Sequence, residues 1–125
     1  MNRIGEIEIA GKKYPLNFST KAAKEISARY GGLENISKAF DGKAIDVMMD
    51  EVLWILALLI SQGVAYKRIV EGEEVAGISA DDLEIVLGVG DLPGLKDQIL
   101  DAMTSGMKQE VEVESEKNAE ATQGK

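Results

Sequence analysis

The chain contains no cysteine and no histidine. That removes disulfides, thiolate nucleophiles, Cys/His zinc sites and every Ser–His or Cys–His catalytic pair. It also fits a reducing cytosol. Aromatic residues make up only 5% of the sequence, so any core has to be assembled from aliphatic side chains, alanine and methionine. Basic charge is scarce as well. Fourteen Lys/Arg face 22 Asp/Glu, and the net charge of -8 argues against nucleic acid as a principal partner. The opening Met1-Asn-Arg-Ile-Gly-Glu6 has no apolar signal core, which gives no expectation of secretion.

What is present is enough for one small domain. The 125 residues are 45% hydrophobic, which permits a core, although a domain of this size is marginal and often gains stability by oligomerising. Charge is unevenly spread. Residues 1–43 carry eight Lys/Arg against five Asp/Glu, whereas residues 44–125 carry six against seventeen, a polarity suited to contact between copies.

The most apolar stretch is Val52-Leu-Trp-Ile-Leu-Ala-Leu-Leu-Ile60, inside a helical pattern from about Ile45 to Tyr66. A membrane span needs about 20 apolar residues. Here Asp50 and Glu51 precede the run and Ser61, Gln62 and Gly63 follow it, so a buried core helix is expected. Ile45, Met49, Val52, Leu56, Leu59, Gly63 and Tyr66 form one stripe on that helix, and Val64–Val70 either continues it or makes a separate turn. Burying each Leu or Ile fully contributes roughly 1.5–3 kcal/mol, so the helix should dominate stability. The opposite stripe, Asp46, Asp50, Trp54, Ala57, Ser61, Ala65 and Arg68, is polar or small except for the single tryptophan. Either the C-terminal helix of the same chain covers Trp54, or Trp54 anchors a contact with another chain.

N-terminal to this helix, Ile7 and Ile9 alternate with Glu6 and Glu8, and Tyr14, Leu16 and Phe18 alternate with Pro15 and Asn17 across an Ala10-Gly11-Lys12-Lys13 turn. The pattern predicts a β-hairpin with one apolar face and an edge strand at Pro15. That face lies on the chain's own helices or pairs with another chain. Ser19 or Thr20 caps a helix to Tyr30, with Gly31-Gly32 stopping it, and Leu33 to Phe40 reads as a short helix before the Asp41-Gly42 turn.

Beyond the central helix, Glu71-Gly-Glu-Glu-Val-Ala-Gly77 reads as a solvated acidic loop, its carboxylates lacking the spacing of an EF-hand. Ser79 caps a helix with Leu83, Val86 and Leu87 turned inward, and its early acids match the helix dipole. Pro93 opens a last helix with Leu95, Ile99, Ala102 or Met103, and Met107 on its apolar face. The glycines of Gly88–Gly94 lack the Lys-Ser/Thr of a phosphate loop. The expected architecture is α+β, mostly α: a single domain over 1–109, with a hairpin at 4–18 and about five helices over 19–109. Residues 110–125 read as an acidic, disordered tail, a brief strand at Val111 and Val113 being the alternative.

The segment Ile7-Glu-Ile-Ala-Gly-Lys-Lys-Tyr-Pro-Leu-Asn-Phe18, with the helix from Thr20 and the order of parts after it, resembles the tail assembly chaperones of long-tailed bacteriophages and prophages. The resemblance implies a non-enzymatic protein of the host bacterial cytoplasm that self-associates into rings or helical assemblies. It would coat the tape measure protein and hand it to tail-tube subunits, with no cofactor, metal, membrane or nucleic acid involved. The alternative class is a virion structural protein, such as a small tail-tube or head–tail joining subunit. No functional residues carry over from the family. The residues themselves nominate Trp54 with Ala57 and Ser61, and the hairpin edge at Tyr14 and Leu16, as partner-binding positions.

Overall fold

A computed structural model describes residues 4–41, 44–105 and 107. The acidic segment 110–125, including Val111 and Val113, lies outside the described residues.

The architecture is α+β and mostly helical. Strands β1 (Gly5–Ile9) and β2 (Lys12–Leu16) pair antiparallel, with Ile7 opposite Tyr14 and Glu8 opposite Lys13. Ile7, Ile9, Tyr14 and Leu16 share the buried face by alternation, with Glu6, Glu8 and Lys13 on the other; Lys12, opposite Ile9 at the turn end of the ladder, is exposed, and Pro15 is buried where β2 meets α3. The two-residue turn places Ala10 at φ 53° and Gly11 at φ 81°, the pair of left-handed conformations of a type I′ turn, whose twist matches the strands.

Helix α1 (Thr20–Tyr30) begins where the Ser19 hydroxyl accepts from the Ala22 N–H, and it ends on Gly31 in the left-handed conformation. Ser19, rather than Thr20, is therefore the cap. A 3₁₀ turn (Leu33–Asn35) leads into α2 (Ile36–Phe40), which buries Ile36 and Phe40. Helix α3 (Ile45–Glu71) runs through Gly63 without a break and closes on Gly72, so Val64–Val70 belongs to it. Ser79 caps α4 (Ala80–Val86), and after a second 3₁₀ turn (Val89–Asp91) the last helix, α5, covers 92–105 with Pro93 in its first turn.

All of these pack around α3. Val52, Ile55, Leu56, Leu59 and Ile60 are wholly buried there, joined by Ile26 of α1, Leu83 of α4 and Ile99 of α5. The buried stretch is shorter than the sequence stripe. Ile45, in the first turn of α3, is 54% exposed. Two further expectations of burial are corrected in the same way. Val86 and Met107 stand at helix ends and are exposed, whereas Leu83, Leu95 and Met103 carry the contacts of α4 and α5.

One contact sets the position of the hairpin. Strand β2 lies against α3 and crosses it at Gly63, where a Cβ would sit 2.3 Å from the Pro15 carbonyl oxygen. Just beyond, the Asn17 N–H donates to the Leu59 carbonyl at 3.1 Å, and Asn17 Nδ2 donates to the Gln62 carbonyl at 3.4 Å. The Ser19 hydroxyl donates to Gln62 Oε1, tying the start of α1 to the same turn of α3. A side chain at position 63 would tilt back over the Leu59 carbonyl, so glycine both admits the strand and leaves that oxygen open.

Candidate partner-binding site

The nominated residues do not come together as one surface. Tyr14 and Leu16 are only 7% and 3% exposed and point into the core of their own chain. The end of β2 is not open either, since its backbone runs onto α3 at Gly63 and Leu59. These two residues build the domain and offer no side chain to a partner, because a two-stranded hairpin gains its stability from the helix beneath it.

Trp54 is half-buried, and its ring contacts come from α1. The Tyr30 ring meets it edge-on, with centroids 6.2 Å apart and planes at 85°, and the Arg29 guanidinium lies 4.3 Å from the Trp54 centroid. Arg29 also forks onto Glu51, with Nε to Oε1 at 3.1 Å and Nη2 to Oε2 at 3.4 Å, and the Tyr30 hydroxyl donates to Glu51 Oε1. The Glu51 carboxylate raises the Arg29 pKa. Burial, followed by the hydrogen bond to Glu51, pushes the Tyr30 hydroxyl well above its ordinary value. This group joins the C-terminal turn of α1 to the middle of α3. Ala57 is half-buried, and Ser61 is exposed with its hydroxyl donated to the Leu58 carbonyl at 2.7 Å.

Sequence reasoning missed a groove between the first half of α3 and the junction of α4 with α5, a cavity of about 310 Å³. Met49, Leu53, Leu87, Val89 and Leu92 supply its apolar surface. Its charged lining is wholly acidic: Asp46 and Asp50 from α3, and Glu84 from α4. Val89 is 57% exposed, and Ile45 and Val47 are exposed on the same end of α3. The sequence did signal half of this arrangement. Asp46 and Asp50 are spaced by four, as are Met49 and Leu53, which places an acidic and an apolar row side by side on one helix. The facing half comes from residues more than thirty positions away, and no local pattern announces it.

Among the described residues, no group of three or more His, Cys, Asp or Glu is gathered so as to hold a metal ion. Helix α3 is long and apolar enough by composition to cross a membrane, with a mean hydropathy of 1.7 in its most apolar window. Its fully buried residues face β2, α1 and α4. No protein-family model matches the chain, and comparison with curated proteins and with solved structures likewise yields no match.

Proposed function

We propose that the protein is a tail assembly chaperone: a non-enzymatic, self-associating protein of the host bacterial cytoplasm that holds the tape measure protein, and passes it to tail-tube subunits, during phage tail assembly. The observation that carries this reading is an acidic groove with an apolar floor, together with large exposed apolar side chains on α3, on α4 and on the turn after α4. Ile45, Val47, Ile85, Val86 and Val89 are all at least 40% exposed, on a domain with few apolar residues to spare. Exposed apolar side chains rimmed by charge are what a binder of amphipathic helices needs. The hairpin-then-helices order supports the resemblance drawn from Ile7–Phe18. The close approach of β2 to Gly63 supports a core role for α3 over a membrane-spanning one.

The test is co-expression with the proteins encoded by neighbouring genes, a tape measure protein above all, followed by size-exclusion chromatography with mass measurement. The chaperone reading expects a complex during assembly, an oligomer in isolation, and absence of the protein from purified virions. Retention in mature particles would overturn it in favour of a virion structural protein, such as a tail-tube or head–tail joining subunit.

A further inference from the structure

We infer that the groove between α3 and the α4–α5 junction is the docking site for an amphipathic α-helix of a partner protein, one whose apolar stripe is flanked by lysine or arginine. The inference rests on the client-binding reading for the existence of a helical partner, but its location and chemistry come from the groove.

The walls set the charge. Asp46 and Asp50 stand one turn apart on α3, about 6 Å along the axis, and Glu84 faces them from α4, with no Lys or Arg in the lining. A partner helix repeats its own side chains at the same spacing, so two basic residues four apart would meet Asp46 and Asp50 while a third reached Glu84. Between the walls, Met49, Val89 and their neighbours offer an apolar floor. The cavity of about 310 Å³ takes a few side chains and not a whole helix. The partner therefore lies across the mouth and sends one apolar row inward.

Other occupants fit less well. The chain's own residues 108–125 carry five glutamates against three lysines, the wrong sign for an acidic groove. In a second copy, the exposed basic residues of α1 and the hairpin turn, Lys21, Lys24, Lys12 and Lys13, have none of the large exposed hydrophobics beside them. The exposed pair Ile69 and Val70 does adjoin Arg68, but Glu71, Glu73 and Glu74 follow directly, and Lys67 is already paired with Glu71 and Glu73. Among the described residues no large exposed hydrophobic carries net basic flanks, so we place such a stripe on another protein.

The experiment uses the full chain and a fluorescently labelled model helix of Leu, Ala and Lys, about 18 residues long, followed by anisotropy. The Lys peptide should bind, and binding should weaken with salt. Its Glu counterpart, and a scramble that disperses the apolar row, should each bind at least about tenfold more weakly. The double reversal Asp50→Lys/Glu84→Lys, at exposed positions on opposite walls, should cost at least about tenfold with the unfolding midpoint unchanged. The equal change in charge at Glu74→Lys/Asp97→Lys, away from the groove, should leave binding intact. The exposed floor substitution Val89→Ser should weaken binding even though it alters no charge. The proposal is overturned by absence of binding, by equal binding of the scramble, or by equal loss from both double reversals. It is also overturned if the groove reversal changes oligomer mass but not peptide affinity, which would make a second copy the occupant. Full capture of the tape measure protein by the groove reversal would sink the groove assignment and leave the chaperone reading standing. Groove-dependent peptide binding by a wild-type chain that captures no tape measure protein would do the reverse.

Discussion

Gly63→Ala is the substitution on which local and tertiary reasoning disagree most sharply. Considered as one residue in the middle of a 27-residue helix, it should stabilise the protein by about 1 kcal/mol, since alanine is the better helix former. The fold predicts the opposite. The new methyl would lie 2.3 Å from the Pro15 carbonyl oxygen, 2.5 Å from its carbon and 2.9 Å from its Cβ. Reaching ordinary contact near 3.4 Å requires β2 to lift by about 1.1 Å, and the obstacle is backbone rather than a side chain that can rotate away. Overpacking of this kind costs about 1–3 kcal/mol. The lift also stretches the hydrogen bonds from Asn17 to Leu59 and Gln62, each worth about 1 kcal/mol. After allowing for the gain in helix propensity, the net loss should be about 2–4 kcal/mol, a fall in Tm of about 10–20 °C for a domain of this size. Urea unfolding followed by the fluorescence of Trp54, the only tryptophan, measures it directly. Gly94→Ala, where nothing lies within 4 Å of the added methyl, is the control and should be neutral or stabilising by up to about 1 kcal/mol. Should Gly63→Ala prove as stable as the parent, the hairpin does not cross α3 at this residue and the account of the core is wrong.

Trp54→Ala removes the edge-on contact with Tyr30 and the cation–π contact with Arg29, and should lower stability by about 2–3 kcal/mol in urea unfolding followed by far-UV circular dichroism, since the variant has no tryptophan to report. Weakened association with unchanged stability would instead assign Trp54 to an interface. Tyr30 keeps its proton beyond the ordinary tyrosine range, so its contribution is complete below about pH 10 and fades as pH rises towards its higher native pKa. The stability difference between the parent and Tyr30→Phe should therefore shrink as pH is raised above about 10, and a difference independent of pH would refute this. Ala10→Asn converts the hairpin turn to Asn-Gly and relieves an alanine held at φ 53°; it should raise stability by about 0.5–1 kcal/mol, measured by thermal unfolding.

Much of the fold could be read from residue order, because its signals are local. Alternation of Ile7, Ile9, Tyr14 and Leu16 specified the hairpin and its inner face. Ser19, Gly31, Gly72 and Ser79 mark helix ends through interactions with residues a few positions away. The spacing of Val52, Leu56 and Leu59 specified the buried side of α3 at its centre. It failed at Ile45 and Val86, because periodicity shows which side of a helix is apolar but not how far a neighbour extends to cover it.

The tertiary structure decided the remainder, and in each case the reason is a meeting of distant segments. Gly63 reads in sequence as one weak member of an apolar stripe, and only the crossing of β2 shows why a side chain is excluded there. Trp54 reads as a lone aromatic covered either by the C-terminal helix or by another chain, whereas its ring contacts come from α1, which neither reading named, because Arg29 and Tyr30 end that helix directly beside Glu51. The groove could not be foreseen. Its acidic wall is written in Asp46 and Asp50, but its opposite wall and most of its floor exist only once the turn after α4 has been folded back onto α3.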